Sequence, residues 1–301
     1  MSWSAETVCV ALTSAGIYVA PGTVIIEQRD GRRLVRVPGD RLAWFADGEP
    51  GRKTIARERR VLRLLAARCT FAVPTVVFES LDGTFDVRTS VPGLVDPWGV
   101  FEKVKADRAL AERIGAEIGA ILAEQHTRIS EAEVAGWLPS RVPWPEPSPW
   151  ILARLPHVVT DGALLANIRG LLERYDASRV TDADRALVHN DVGFHNLALD
   201  PTTHMVRGIF DYENAAWADR HHDFRYLLFD AGHEELLEAA LAVYEPAVGL
   251  RLSRDRIRLY NAAAAAAFLA YRDGVPPDQR WCGRTLDQDL AWVRYAMGRC
   301  S

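Results

Sequence analysis

Three observations predict an α+β fold in two unequal parts, a small β-rich amino-terminal lobe and a larger helical one. Short β-branched runs separated by Asp-Gly and Pro-Gly pairs are confined to about the first ninety residues. Long Ala-, Leu- and Glu-rich stretches begin after Asp107. The length of 301 residues, with 49% hydrophobic content, is enough for one large core or two smaller ones. The change of texture sets the expected boundary near residue 92, giving lobes of residues 1–91 and 92–301.

Taken in order, Val24–Glu27 and Arg33–Val37 read as strands joined through Arg29-Asp30-Gly31, since Asp-Gly favours a tight hairpin turn. A polar stretch from Asp47 to Lys53 follows. Thr54–Ala67 then spaces Ile55, Val61, Leu62, Leu64 and Leu65 as one apolar face of a helix. Thr75–Phe78 and Phe85–Val91 form a second strand pair around Asp82-Gly83, and Pro92-Gly93 stops it. Ala109–His126 is a helix, residues 136–150 a Pro/Trp-rich connection, and Ile151–Tyr175 helical again. Arg185–Val188 is a short apolar run. Leu197–Leu199 and Met205–Phe210 make a second hairpin, and Phe224 to Met297 is helical with a break near Gly274–Gly283. The run Ala262–Ala267 reads as a tightly packed helix segment.

Charge and cysteine content narrow the function. With 36 basic and 40 acidic residues the net charge is −4, which argues against a nucleic-acid partner or a polybasic membrane anchor. No run reaches the 18 or so apolar residues of a membrane span, and Glu6 interrupts what would be a signal peptide. Four scattered cysteines without a CxxC pair suit a reducing compartment, so a cytoplasmic location is expected.

The sharpest chemical signal is His189-Asn190-Asp191-Val192-Gly193-Phe194-His195-Asn196, an H-x-D-x-x-x-x-N spacing preceded by an apolar strand. In that spacing Asp191 accepts a hydroxyl proton and Asn196 offers an amide oxygen to Mg²⁺, a hard cation that prefers oxygen ligands. Asp211, fifteen residues after Asn196, closes an apolar strand and supplies a second metal-holding oxygen group. Phosphoryl transfer needs such a set because charge accumulates on the phosphate oxygens. A metallohydrolase cluster of His189, Asp191, His195, Asp211, His221, His222 and Asp223 is the rival reading. Adjacent His221 and His222 cannot readily face one site, and the sequence has no HExxH or HxxxH pair.

The segment Phe210–Phe224, FDYENAAWADRHHDF, resembles the "IDWExAxxGDPxxDLA" stretch of the aminoglycoside phosphotransferase/choline kinase family, with Ala218 in place of the usual glycine. That resemblance implies a protein-kinase-like bilobal fold in which Asp211 binds magnesium and His189 braces the loop. Asp219 and Asp223 would stabilise the loop. Arg33–Pro38 resembles the family's "lvLR(f/v)P" strand, which puts Arg36 at the phosphate-binding cation's place, with Lys53 as competitor. Glu58 in Ala56–Leu62 would be its ion-pair partner. Phe71–Pro74 resembles the entry to the next strand, and Arg88–Gly93 the interlobe hinge, whose Ser90 and Val91 backbone would pair with the purine. Leu122–His126 resembles a helix end, with His126 packed rather than catalytic. The glycine-rich loop expected near Ala15–Val24 retains only Gly16 and Gly22.

The implied activity is transfer of the γ-phosphoryl of ATP or GTP, with Mg²⁺, to a small-molecule hydroxyl. An aminoglycoside-type antibiotic or related aminocyclitol is the expected acceptor, and antibiotic resistance the implied role. A choline-, ethanolamine- or homoserine-type metabolite kinase, or a nucleotide-binding pseudokinase, is the alternative. Gly193 resembles the aminoglycoside kinases and the His-Asn-Asp triplet the choline kinases, so the loop leaves the acceptor open. Asp223, Asp230, Glu234, Glu235 and Asp273 are acidic candidates for the acceptor wall, interspersed with Arg225, Arg272, Arg280 and Arg284. Trp281 and Trp292 are expected in the core. A monomer or homodimer without nucleic-acid or membrane partners completes the expectation.

Overall fold

In the computed structural model, which describes residues 3–231 and 234–300 and leaves aside the side chains of 229–231, an amino-terminal sheet caps a helical body. Strands β1 (Ile26–Arg29), β2 (Arg32–Val37), β3 (Arg41–Ala46), β4 (Val76–Glu79) and β5 (Phe85–Thr89) form one antiparallel sheet in the order β1-β2-β3-β5-β4. Asp30-Gly31 makes the expected tight turn, with Gly31 at φ +67°. Period-two alternation sends Val35, Val37, Ala43, Phe45, Phe85 and Val87 to the outer face. There helix α1 (Ala5–Ser14) covers them with Val8 and Leu12.

The sequence reading missed α1 and β3. The β3 segment RLAWFA has no clean alternation of its own, and its place is decided by pairing with β2 and β5 on both sides. The stretch Asp47–Lys53 is another correction. Helix α2 (Gly48–Arg68) starts within it, because Gly51 lets the helix press against the β1–β2 turn. A β-carbon at Gly51 would sit 2.2 Å from the Gly31 carbonyl oxygen. Long-range packing therefore overrides the polar local signal.

The helical body begins with α3 (Pro97–Ala106), α4 (Arg108–Arg128) and α5 (Glu131–Val134). The predicted stretch Ile151–Tyr175 divides into α6 (Ser148–Val158) and α7 (Gly162–Asp176), with Asp161 capping the second through Ala163 and Leu164 N–H groups. Two small antiparallel pairs follow: β6 (Arg185–Val188) with β9 (Ala216–Asp219), and between them in sequence the hairpin of β7 (Leu197–Leu199) with β8 (Val206–Ile209). Strand β9 was not foreseen, since four residues are ordered only by their partner. Helices α8 (His221–Ala231), α9 (Glu234–Val248), α10 (Arg254–Ala270) and α11 (Leu286–Gly298) complete the chain. All six alanines of Ala262–Ala267 are fully buried in α10.

Helix α4 runs against α9 at backbone range. A β-carbon on Gly119 would lie 2.1 Å from the Ala240 carbonyl oxygen. One core joins Ile114, Ile118 and Leu122 of α4 and Leu237 and Leu241 of α9 to Leu197, Leu199 and Ile209 of the β7–β8 hairpin. Val61, Leu62 and Leu65 of α2 enter the same core. Each such side chain contributes roughly 1.5–3 kcal/mol on burial, so the hairpin and α2 are held rigidly relative to one another. Among the described residues no helix is long and apolar enough to cross a membrane.

Candidate active site

Strand β6 delivers the chain to a loop whose backbone is held at every step. The N–H groups of His189 and Asn190 donate to the two carboxylate oxygens of Asp223, on α8, at 2.9 and 2.6 Å. Asn190 takes a left-handed conformation, φ +70°, which asparagine tolerates better than most residues. The Asp191 N–H donates to His189 Nδ1 at 3.2 Å, which makes Nε2 the protonated nitrogen of the neutral ring. That Nε2–H donates to the Phe210 carbonyl at 2.9 Å and so ties the loop to the segment before Asp211. Burial depresses the His189 pKa, consistent with a neutral structural ring.

Asp191 stays 23% exposed at the side chain, so its carboxylate reaches the surface of the cleft. Asn196 donates its amide nitrogen to the Asp191 carbonyl at 2.9 Å and to Oδ2 at 3.0 Å, and His195 Nε2 lies 3.3 Å from Oδ2. Burial works against the Asp191 charge, but the bonds from His195 and Tyr226 and the nearby imidazoles outweigh it and hold its pKa at about 2. A carboxylate held in this way stays ionised and accepts hydrogen bonds.

Asp211 follows β8 in a left-handed conformation, φ +69°, just after the Phe210 N–H bonds the Asn196 carbonyl at 3.1 Å. The two residues thus stand at the mouth of one hairpin. Asp211 Oδ1 is buried without a hydrogen-bond partner among the described residues. Burial, with Glu58 and Asp191 nearby, raises the Asp211 pKa to about 7. The Asn196 amide nitrogen is committed to Asp191, leaving its oxygen as the acceptor. An all-oxygen set with a buried carboxylate oxygen lacking a partner fits a hard divalent cation.

Across the cleft the structure rearranges the expected cations. Glu58 on α2 is buried and pairs with Arg88 Nη1 of β5 at 2.7 Å and Arg32 Nη1 of β2 at 3.4 Å. Arg36 does not reach it. Its side chain is 74% exposed and lies 3.5 Å from Glu27. Lys53, in α2, pairs at 3.8 Å with Glu49. Arg32, Leu34 and Arg36 share one face of β2, yet only Arg32, next to the turn, lies beside α2. Its guanidinium covers Trp44 at 4.6 Å and also pairs with Glu213. Desolvation opposes the Glu58 charge, but Arg88 and Arg32 overcome it and keep the pKa low. Glu58 also accepts the Tyr212 N–H, and Arg57 donates to the Glu213 carbonyl at 2.9 Å, so α2 is stapled to the Asp211 segment.

At the hinge, the Ser90 N–H donates to the Asp40 carbonyl at 2.7 Å and is committed within the sheet. The β1–β2 turn is likewise fixed, its Gly31 carbonyl accepting the Asp47 N–H at 2.8 Å. His126 is buried between Tyr244 and Asp223, at 2.9 and 3.0 Å, as a packed residue. Asp219 holds His221 and Tyr260 at 2.5 and 2.7 Å. Asp184, Asp219 and His221 gather close enough for a metal, but Arg256 already lies 3.1 and 3.4 Å from the two carboxylates. Trp281 and Trp292 both pack on Phe268. Of the acidic wall candidates, Asp223 is buried under the loop, Glu234 pairs with Arg258 and Arg299, and Asp273 meets His157. The Asp230 side chain lies outside the described residues.

The family model of the phosphotransferase enzyme family, APH, matches residues 22–260. The fold is similar to that of the GDP and kanamycin complex of APH(2")-IIia, at 19% identity over 97% of this chain and 98% of that chain, TM-score 0.71. It is similar to the streptomycin-ATP-APH(2")-IIa ternary complex, at 15% identity over 99% of both chains, TM-score 0.63. Macrolide 2'-phosphotransferase MphH from Brachybacterium faecium matches at 18% identity over 91% of this chain and 100% of that one, TM-score 0.62. With a bilobal kinase-like fold and four-fifths of its length inside the family model, the chain belongs to the phosphotransferase enzyme family, whose members move a phosphoryl group to a small-molecule hydroxyl.

Proposed function

We propose that this enzyme transfers the γ-phosphoryl of ATP or GTP to a hydroxyl of an aminoglycoside-type or related aminocyclitol acceptor. The observation that carries the reading is the convergence of Asp191, Asn196 and Asp211 on one cleft edge, with His189 bonded both to the Asp191 N–H and to the Phe210 carbonyl next to Asp211. Structures similar in fold hold GDP with kanamycin, and ATP with streptomycin, which supports a nucleotide and an aminoglycoside as the pair. A role in antibiotic resistance follows from that acceptor.

In this reading the acceptor hydroxyl donates its hydrogen bond to the Asp191 carboxylate, which orients the oxygen for in-line attack. The new O–P bond forms as the bond from the γ-phosphorus to the β,γ-bridging oxygen breaks, and the nucleoside diphosphate leaves with that bond's electron pair. The hydroxyl proton passes to Asp191. Asn196 and Asp211 would hold Mg²⁺, which when bound neutralises charge on the phosphate oxygens. Arg32 and Arg88, rather than Arg36, carry the buried positive charge of the amino-terminal lobe that pairs with Glu58. The hinge groups offered to a purine are the Ser90 carbonyl and the Val91 N–H.

A second reading, nucleotide binding without turnover, is favoured by one feature. The expected glycine-rich stretch Ala15–Val24 instead caps α1 and makes a short helical turn at Pro21–Thr23, and the β1–β2 connection is only the two-residue turn Asp30-Gly31. The test is ADP or GDP release with Mg²⁺ across aminoglycosides, hygromycin, a macrolide, choline, ethanolamine, homoserine and sugars, with Asp191→Ala as blank. Stimulation by an aminoglycoside supports the proposal, and stimulation by another acceptor alone reassigns the substrate. Silence alongside a nucleotide-dependent rise in melting temperature favours the second reading.

A further inference from the structure

Arg225, on α8, stands where the "DLA" ending of the family stretch carries alanine, and its side chain is fully buried. Its Nη2 donates to both the carbonyl and the Oδ1 of Asn190, at 2.9 and 3.0 Å. Its Nε meets His222 Nδ1 at 3.4 Å, and its guanidinium lies 5.3 Å from the centre of the Tyr226 ring. Among the described residues none of its hydrogen bonds goes to a carboxylate, and Nη1 has no partner.

Asp191 and Asp223 lie near enough to offset part of this buried charge, yet among the described residues no carboxylate accepts a hydrogen bond from it, and burial still opposes it. An alanine or leucine would fill such a place without that desolvation, so the hydrogen bonds the guanidinium makes are what distinguish it. What it holds is the residue immediately before the proposed base. Asn190 is left-handed, a sparsely populated conformation that persists only when its surroundings impose it. Asp223 fixes the N–H side of Asn190, and Arg225 fixes its carbonyl and side chain. The two clamp the peptide from opposite ends, and both come from α8.

We infer that Arg225 is a positioning residue: it holds Asn190 left-handed and thereby aims the Asp191 carboxylate into the cleft. Arg225 touches neither substrate nor nucleotide in this role. The inference rests on the reading of Asp191 as the acceptor-orienting group, but its structural half is independent of the acceptor's identity.

The test compares Arg225→Met, Arg225→Lys and wild type. Met keeps the volume and removes all donors, and Lys keeps one donor and the charge. In hydrogen exchange of the full-length enzyme, the peptide covering residues 187–196 exchanges at least tenfold faster in Arg225→Met and recovers in Arg225→Lys, while peptides from the amino-terminal sheet do not change. In the transfer assay, kcat falls at least thirtyfold in Arg225→Met with the nucleotide KM within twofold, and Arg225→Lys regains part of kcat. Unchanged exchange in the 187–196 peptide overturns the inference whether or not an acceptor has been found. Faster exchange with unchanged kcat overturns the aiming role, and an equal rise in exchange throughout the chain means that Arg225 only stabilises the fold. If no acceptor supports turnover in wild type, the proposed function fails, and the exchange measurement still decides whether Arg225 clamps the loop.

Discussion

The two sides of the cleft hold their charged groups by different means. On the helical side, a stretch of eight residues carries the proposed base, one proposed metal ligand and the bracing histidine, bonded within the loop, to α8 and to Phe210 at the end of the β7–β8 hairpin. On the sheet side, the charge around Glu58 is assembled from β2, β5 and α2, residues 26 to 30 positions apart. A loop that must turn tightly around a reacting oxygen constrains its neighbours in sequence. A buried carboxylate needs only positive charge nearby, and a guanidinium from any adjacent strand satisfies it. The chemistry on one side is therefore tied to local order and on the other to proximity.

The largest effect is expected from Asp191→Ala, which should lower kcat at least 10³-fold while leaving the nucleotide-induced rise in melting temperature intact. Turnover within tenfold of wild type would remove Asp191 as the orienting base. On the sheet side, Glu58→Gln leaves Arg32 and Arg88 buried without their shared anion, and should cost about 3–5 kcal/mol in a urea titration. A loss below about 1 kcal/mol would mean that Asp86 of β5, which pairs with Arg88 at 2.8 Å, and Glu213, which pairs with Arg32, suffice as counter-charges.

Asp211→Asn should raise the Mg²⁺ concentration needed for nucleotide binding at least tenfold. An unchanged magnesium titration would take Asp211 out of the metal site. His222 gives a pH signature from beneath the proposed catalytic loop. Burial, and then the Arg225 charge, push its pKa down from the usual 6.5 to about 3. The unfolded chain therefore takes up a proton between those values that the folded chain refuses, so stability falls as pH drops below about 6.5. Wild type should lose up to ~1.4 kcal/mol per pH unit more than His222→Gln between pH 6 and 4, and parallel curves would contradict a neutral buried ring. The smallest effect belongs to Arg36→Ala, which should change stability by less than ~0.5 kcal/mol and nucleotide affinity by less than twofold. A tenfold loss of affinity would restore Arg36 to the phosphate site and break the contrast.

These differences explain how far the site could be read beforehand. His189, Asp191, Asn196 and Asp211 were legible because a fixed spacing and a strand before each half place them without knowledge of the rest of the fold. Glu58 was legible as a charge on an amphipathic helix, but its partner was misplaced by four residues. Alternation put Arg32 and Arg36 on the same face of β2, and nothing local distinguishes the residue beside α2 from the one open to solvent. Arg225 carried a signal, a large cation where the resembling pattern has alanine, yet only the structure shows it under Asn190. The α1 helix, β3 and β9 were missed for the same reason: each is ordered by partners distant in sequence.

The α+β class, the β1–β2 and β7–β8 hairpins, the apolar face of α2 and the spacing of the proposed catalytic loop are legible in the sequence, since each depends on periodicity or spacing within about twenty residues. Which arginine meets Glu58, where α2 begins and how Asn190 is held between Asp223 and Arg225 emerge only from the packed fold. Those outcomes depend on which buried groups come within hydrogen-bonding distance after distant segments pack. Burial then makes each choice costly to reverse, because a charge or peptide group left without its partner in the interior cannot recover its bonds to water.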